Sequence, residues 1–213
     1  MKTSLRFSTL CAVLGLAVTA SAADMIKYKA RPGGKMRIEG TSTIHDWWAE
    51  SSLISGTFEV DPSFPADPTK NDLKPGPIPA SSTVGIVVRS FKCQWGGPMD
   101  TVMQESMDAA KFPKIEFKLK ELVFKESKEG ALIFDSKGDL TVHGKSKEVS
   151  FPVKIDRPDA KTLKIKGETS AKMADFGIAP PAPKIGLGLI KTADDVKLIF
   201  EWNVAQVAPA AAQ

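Results

Sequence analysis

The stretch from residue 132 to residue 155 reads LIFDSKGDLTVHGKSKEVSFPVKI and predicts a β-hairpin. From Val149 to Ile155 apolar residues alternate with other residues, as in a strand with one buried face. The polar break HGKS at residues 143–146 joins the two halves, and Gly144 can take the positive φ of a tight turn. Pro152 has no N–H for a sheet, so we expect its partner position to be open, at an edge or at a bulge.

Alternation with the same period recurs along most of the chain. Further strands are predicted over residues 35–39, 54–60, 82–93, 114–124, 163–173 and 196–204. A short helix is predicted from Thr101 to Ala110, with Asp100 as its N-cap. The sequence therefore predicts an all-β fold, a single antiparallel barrel of about eight strands with one short helix. Closure into a barrel removes exposed sheet edges, and about eight strands can enclose a filled core or one small ligand.

Two long segments interrupt this pattern. Residues 61–80 are rich in Pro, Asp and Lys, and we expect a long exposed loop there. Residues 174–195 are rich in Pro and Gly but carry apolar side chains, which need a surface to cover. Met99, Met103 and Met107 recur every fourth residue and share one face of the predicted helix. We interpret these methionines as packing residues, with a flexible lid as the alternative.

The first 22 residues have the pattern of a secretory signal peptide. Lys2 and Arg6 precede an apolar run from Leu10 to Val18, and a small-residue cleavage site follows at residues 20–22. We expect cleavage after Ala22 and export to the periplasm. The rest of the chain is expected to form one domain.

That domain is predicted to span residues 23–204 and to be followed by a disordered tail over residues 205–213. Loss of the leader removes Cys11, and Cys93 alone forms no intramolecular disulfide. The net charge is only +4, and lysines alternate with acids along the strands, so no nucleic-acid-binding surface is expected. No later apolar run is long enough for a membrane-spanning helix. The sequence leaves the oligomeric state open, a dimer included.

Five motifs occur in an order and spacing that resemble the YceI-like family. They are GTSTIHDW at 40–47, GTFEVD at 56–61, MDAAKFPKIEF at 107–117, GDLTVHGKSKEVSFPV at 138–153 and DFGI at 175–178. The HDW run that contains Trp47 looks like a subgroup of that family. The resemblance implies a lipocalin-like barrel with a helix near one end. It also implies that a long isoprenoid chain, such as a polyprenyl lipid or a quinone, binds in the barrel interior.

The resemblance does not extend to the polar head of such a ligand, because residues 99–103, MDTVM, lack the Arg and His often found there in the family. An apolar chain needs an apolar tunnel, which the inward positions of the strands would line. The candidate lining residues are Ile38, Phe58, Ile86, Val88, Ile115, Phe117, Phe151, Val153, Leu163, Ile165, Leu198 and Phe200. The candidate mouth and lid residues are Met103, Met107, Phe176, Ile178, Ile185, Leu187 and Leu189.

His45 and His143 are the only histidines, and each stands where a strand meets a turn. We interpret both as hydrogen-bonded structural residues, with contacts to a polar head group as the alternative. No metal site and no cofactor are expected, because a metal needs three or four protein ligands. Catalysis is not expected either, because the sequence contains no nucleophile elbow, phosphate-binding Gly loop or paired-carboxylate motif.

The sequence thus predicts an exported, non-enzymatic protein that holds an isoprenoid or another long-chain lipid. The main alternative is an exported structural or stress-related module with a filled barrel, no lipid and a surface partner. A third hypothesis is a metal- or haem-associated redox accessory that uses His45, His143 or Cys93.

Overall fold

Residues 24–65, 67, 73–182 and 190–208 are described by a computed structural model of the chain. In chain order the elements are β1 (Ile26–Ala30), β2 (Lys35–Ser42), β3 (Asp46–Ser51), β4 (Ile54–Val60), β5 (Gly76–Pro77), β6 (Ala80–Val87), β7 (Lys92–Cys93), α1 (Gly97–Ser106), β8 (Lys114–Lys128), β9 (Ala131–Val142), β10 (Lys145–Asp159), β11 (Thr162–Lys172) and β12 (Thr192–Gln206). The predicted signal peptide and the lid candidates Ile185, Leu187 and Leu189 lie outside the described residues. Within the described part, no helix has the length and apolar character needed to cross a bilayer.

Eight antiparallel strands close into a ring in the order β1-β4-β6-β8-β9-β10-β11-β12, and β12 pairs again with β1. The predicted all-β barrel of about eight strands with one short helix is therefore confirmed. β12 is long enough to pair with a different strand at each end of the barrel. Its C-terminal part pairs with β1, where Val204 faces Ala30, and its N-terminal part pairs with β2, where Val196 faces Gly40. β2, β3 and β7 thus extend the wall at the end that carries α1, which we call the helix end; the opposite end is the β1 end.

The predicted hairpin is β9 and β10, paired without interruption from Val142 opposite Lys145 to Leu132 opposite Ile155. His143 and Gly144 form its two-residue turn with φ of 50° and 71°, the sign that a type I′ turn requires. Pro152 faces β9, but pairing of β10 with β11 begins only at Val153. The expected open partner position of Pro152 is thus confirmed.

The helix prediction was wrong at both boundaries. α1 begins at Gly97 and ends at Ser106, and its N-cap is Gly96 without a side-chain capping bond. Asp100 lies inside the helix, and its carboxylate instead accepts a hydrogen bond from the Cys93 N–H at 2.7 Å. Pro98 accounts for the earlier start, because proline fits the first turn of a helix, where its missing N–H has no partner to lose.

Three other boundaries differ from the predicted ones. The single strand predicted over residues 82–93 is interrupted by a 3₁₀ turn at Val88–Ser90, which bends the chain from β6 into β7. The predicted exposed loop at 61–80 contains β5, paired with β8, and two buried side chains, Phe64 and Ile78. Ala205 and Gln206 belong to β12, so this strand includes the first two residues of the predicted tail.

Two groups of buried side chains line the barrel interior. The group at the β1 end is rich in large aromatic residues: Tyr28, Phe58, Phe64, Phe124, Phe134 and Trp202. The group at the helix end combines aliphatic residues and methionine with two phenylalanines: Met36, Ile38, Ile86, Phe91, Met107, Ile115, Leu140, Phe176, Ile178 and Leu198. The barrel is therefore packed differently at its two ends.

Candidate ligand cavity

Two cavities lie in the barrel interior and at the helix end. The first, about 110 Å³, lies among the inward side chains of β4, β6 and β8–β12. The second, about 120 Å³, lies between the barrel, α1 and the 3₁₀ turn Met173–Phe176. The linings of the two cavities share four side chains: Met36, Ile115, Leu140 and Leu198. Each cavity approaches the roughly 150 Å³ of an engineered protein cavity that takes up benzene.

Most candidate lining residues predicted from the strand pattern do line a cavity. Those at the first cavity are Phe58, Ile86, Ile115, Phe117, Phe151, Val153, Ile165, Leu198 and Phe200. Ile38 lines the second. Val88 and Leu163 are buried but belong to neither set of lining residues; Val88 lies in the 3₁₀ turn, and Leu163 is fully buried in the group at the β1 end.

Four of the predicted mouth residues, Met103, Met107, Phe176 and Ile178, line the second cavity. Met36 and Leu140, which line both cavities, were not among the predicted residues. They occupy inward positions of the same alternating strands, so the signal was present in the sequence.

Both serine hydroxyls that line the first cavity are paired within the protein, whereas the buried indole N–H of Trp202, which belongs to the same lining, has no hydrogen-bond partner among the described residues. Ser82 donates a hydrogen bond to the Thr57 carbonyl oxygen at 2.9 Å, and Ser136 donates one to the Phe151 carbonyl oxygen at 3.0 Å. Because these two hydroxyl protons are engaged, the lining presents mainly carbon surface. Such a surface favours an apolar ligand over one that needs buried hydrogen bonds.

The β1 end of the interior is closed by Phe64, from the segment predicted as an exposed loop. Its ring is 3% exposed, stacks on Phe134 at a centroid distance of 6.1 Å and meets the Phe58 ring edge-on. The sequence signal was a lone large aromatic residue in a polar stretch. The two cavities therefore lead away from a plugged end and towards the helix.

The wall has a lateral gap between β10 and β11. Pairing of these strands stops at Val153 opposite Gly167, although β10 remains paired with β9 and β11 with β12 beyond that point. Inward residues on either side of the gap, Phe151 and Thr169, are only half-buried. Phe200 and Val153 line both the first cavity and a groove on the outer face, so single residues separate the interior from the outer surface here.

A buried carboxylate fixes α1 beside β7. Asp100 accepts hydrogen bonds from the Cys93 N–H at 2.7 Å and from the Lys92 ammonium group at 3.0 Å. The bond from the Cys93 N–H, with help from Lys92, lowers the pKa of Asp100 below its ordinary value. Burial, together with the Asp100 charge, raises the pKa of the Cys93 thiol to about 11. The thiol is therefore protonated at neutral pH.

Neither histidine lines the two cavities. His45 is exposed and contacts the ring of Trp95 at a centroid distance of 4.1 Å. His143 Nδ1 lies 3.2 Å from the Phe176 carbonyl oxygen, and its ring meets the Phe112 ring at 4.7 Å. His143 thus ties the β9–β10 turn to the 3₁₀ turn at the mouth. Among the described residues, no three His, Cys, Asp or Glu side chains are grouped as a metal site would require.

A closed antiparallel barrel with an apolar interior and a helix at one end is the architecture of small ligand-binding barrels. The family model for the YceI-like domain matches residues 30–204, and the chain belongs to that family. A comparison with curated proteins gives no match.

Solved structures share the fold. A polyisoprenoid-binding domain from Saccharophagus degradans, implicated in plant cell wall breakdown, aligns with TM-score 0.63 and 10% identity over 85% of this chain and 99% of that one. BcnA of Burkholderia cenocepacia aligns with TM-score 0.58 and 20% identity over 80% of this chain and 95% of that one. The Campylobacter jejuni YceI protein aligns with TM-score 0.53 and 20% identity over 76% of this chain and 85% of that one.

Proposed function

We propose that this protein binds the apolar chain of a polyisoprenoid-type lipid in the two cavities, without catalysing a reaction on it. The observation that carries the proposal is the interior void itself: two apolar cavities that share four lining side chains and lie on the helix side of the Phe64 plug. The fold shared with the polyisoprenoid-binding domain of S. degradans supports the choice of ligand class. Export to the periplasm, suggested by residues 1–22, is part of this proposal.

The thermodynamics favour such a ligand. A chain that buries roughly 300 Å² of apolar surface gains about 7 kcal/mol, from which the cost of association is subtracted. Because the hydroxyl protons of Ser82 and Ser136 are engaged by carbonyl oxygens, an apolar chain displaces no hydrogen bond that they donate. The polar end of the ligand is expected at the mouth, where Lys172 and Thr192 line the second cavity.

The alternative of a filled barrel fits only the β1 end. There the rings of Phe64 and Phe124 pack against Phe134, and these three line neither cavity, whereas Phe58 and Trp202 of the same aromatic group border the first cavity. A lipid chain is therefore expected to enter from the helix end and to stop short of Phe64. The length of chain that is held depends on how far the four shared side chains move apart.

Solvent extraction and mass spectrometry of the purified protein test the proposal. We expect a co-purified prenyl lipid in the wild type and its loss in Leu140→Trp, which places an indole between the two cavities. The matched control is Ile133→Trp on the same strand, because Ile133 lines the groove on the outer face instead. A folded wild type that neither carries a prenyl lipid nor takes one up after solvent extraction, or an equal lipid content in both variants, would refute the proposal.

A further inference from the structure

The sulfur-containing side chains are concentrated in one place. The chain contains seven methionines, and five of them line the second cavity together with Cys93. The five are Met36, Met99, Met103, Met107 and Met173. Of the other two, Met25 precedes β1 and lines neither cavity, and Met1 is not among the described residues. Such a concentration is not needed for apolar lining alone, because leucine or isoleucine fills space equally well.

These six sulfur atoms come from separate elements that meet around one void. Met99 and Met103 lie one turn apart on α1, and Met107 follows the last helical residue, so the three form a row in which successive Cβ atoms are about 5–6 Å apart and the outer two about 12 Å apart. Cys93, on β7, places its Sγ 3.9 Å from the Sδ of Met103. Met36 on β2 and Met173 in the 3₁₀ turn line the same cavity of about 120 Å³.

The chemistry of this donor set is selective. Thioether sulfur is a soft, uncharged ligand and favours Cu(I), whereas hard divalent cations require oxygen and Zn²⁺ favours thiolate or imidazole. The carboxylate of Asp100, on the same helix, is turned towards the Cys93 N–H and the Lys92 ammonium group. Thioethers also bind without losing a proton, unlike most metal ligands in proteins.

We propose that the sulfur-lined mouth binds one Cu(I) ion through the thioethers of Met99 and Met103, with Cys93 as the neighbouring sulfur. Methionine has three rotatable side-chain bonds, so these two side chains, one helical turn apart, can converge on an ion without movement of the backbone. Met99, Met103 and Cys93 are half-buried, which leaves them within reach of solvent. This site shares the second cavity with the proposed lipid but rests on a different property of the lining, since it requires sulfur and not merely apolar surface.

Two measurements on the solvent-extracted protein test the site. In the first, performed without oxygen and with excess ascorbate, the protein competes with bicinchoninate for Cu(I), and loss of the coloured chelate reports transfer. We expect the wild type to remove one Cu(I). The triple variant Met99→Leu/Met103→Leu/Met107→Leu should bind at least about 100-fold more weakly. In the second, Ag(I), a redox-inert substitute, is titrated into protein labelled with ¹³C at the methionine methyl groups.

The control is Met25→Leu, which removes a half-buried methionine remote from the cavity and should leave Cu(I) transfer unchanged. Ag(I) should shift the methyl signals of Met99 and Met103 and not that of Met25. If the triple variant does not fold, Met103→Leu alone replaces it in the competition for Cu(I). A wild type that leaves Cu(I) with the chelator, or Ag(I) shifts that are as large at Met25 as at Met103, would overturn the site.

Lipid content separates this inference from the proposed function. Leu and Met have similar volumes, so the triple variant should retain the prenyl lipid while it loses Cu(I). A protein that carries no lipid but takes up Cu(I) would refute the lipid proposal alone. A protein that carries lipid but takes up no Cu(I) would refute the metal site alone.

Discussion

Because the two ends of the barrel are packed differently, the same substitution is expected to lower the free energy of unfolding by different amounts at the two ends. Leu163 and Leu198 both point inward from neighbouring strands, but Leu163 is fully buried in the aromatic group, whereas Leu198 lines both cavities. Truncation of either to Ala loses about 2 kcal/mol of transfer free energy. At Leu163 the substitution also creates a new void in a packed region, which raises the expected loss of unfolding free energy to about 4 kcal/mol.

At Leu198 part of the side chain already faces empty space, so fewer contacts are lost and the expected cost stays near 2 kcal/mol. Urea unfolding of the solvent-extracted protein measures both variants against the wild type, and equal m-values would show that the unfolding transitions are comparable. If the two variants lose the same unfolding free energy within about 0.5 kcal/mol, the helix end is packed as tightly as the β1 end. That result would refute the proposed ligand cavity at the helix end.

Three further outcomes are expected from local geometry. Phe64→Ala should lower the unfolding free energy by about 3 kcal/mol in urea titrations, because it removes the plug at the β1 end; a loss below about 1 kcal/mol would show that the ring is not packed. Gly144→Ala should cost more than its control Gly130→Ala, since both have positive φ but only at Gly144 would the added Cβ overlap a ring, that of Phe112; equal costs would contradict this. Asp100 has a lowered folded-state pKa, so its stabilisation is present above its unfolded-state value of 3.8 and is lost as the pH falls through the folded-state pKa. The difference in unfolding free energy between the wild type and Asp100→Asn should therefore decrease as the pH falls from 3.8 through the folded-state pKa of Asp100. Urea titrations at several pH values measure this difference, and a difference that does not depend on pH would contradict the stabilising role of the Asp100 carboxylate.

Strand positions and their inward faces were largely predictable because the β period is a local property. The alternation from Val149 to Ile155 placed both the hairpin and its buried face, and the turn at Gly144 followed from residue type alone. The start of α1 was harder to predict, because Asp100 resembles an N-cap residue in the sequence. Only the position of β7 beside the helix shows that this carboxylate bonds to the Cys93 N–H instead.

The sequence motifs also indicated the YceI-like family, and the family model over residues 30–204 confirms this membership. The role of Phe64 was not predictable in the same way. A phenylalanine among Pro, Asp and Ser gives no period, and its burial against Phe134 results from a contact across 70 positions of sequence.

The sequence by itself determined which side chains point inward, since alternation assigns each residue of a strand to one face of a sheet. Only the tertiary structure decided whether those side chains meet, because that depends on the width of the closed ring and on what enters its ends. Phe64 fills one end, whereas the other is left hollow and bordered by sulfur from Met36, Cys93 and Met103. No local pattern encodes the distance between residues on different strands, and that distance separates a packed core from a binding cavity.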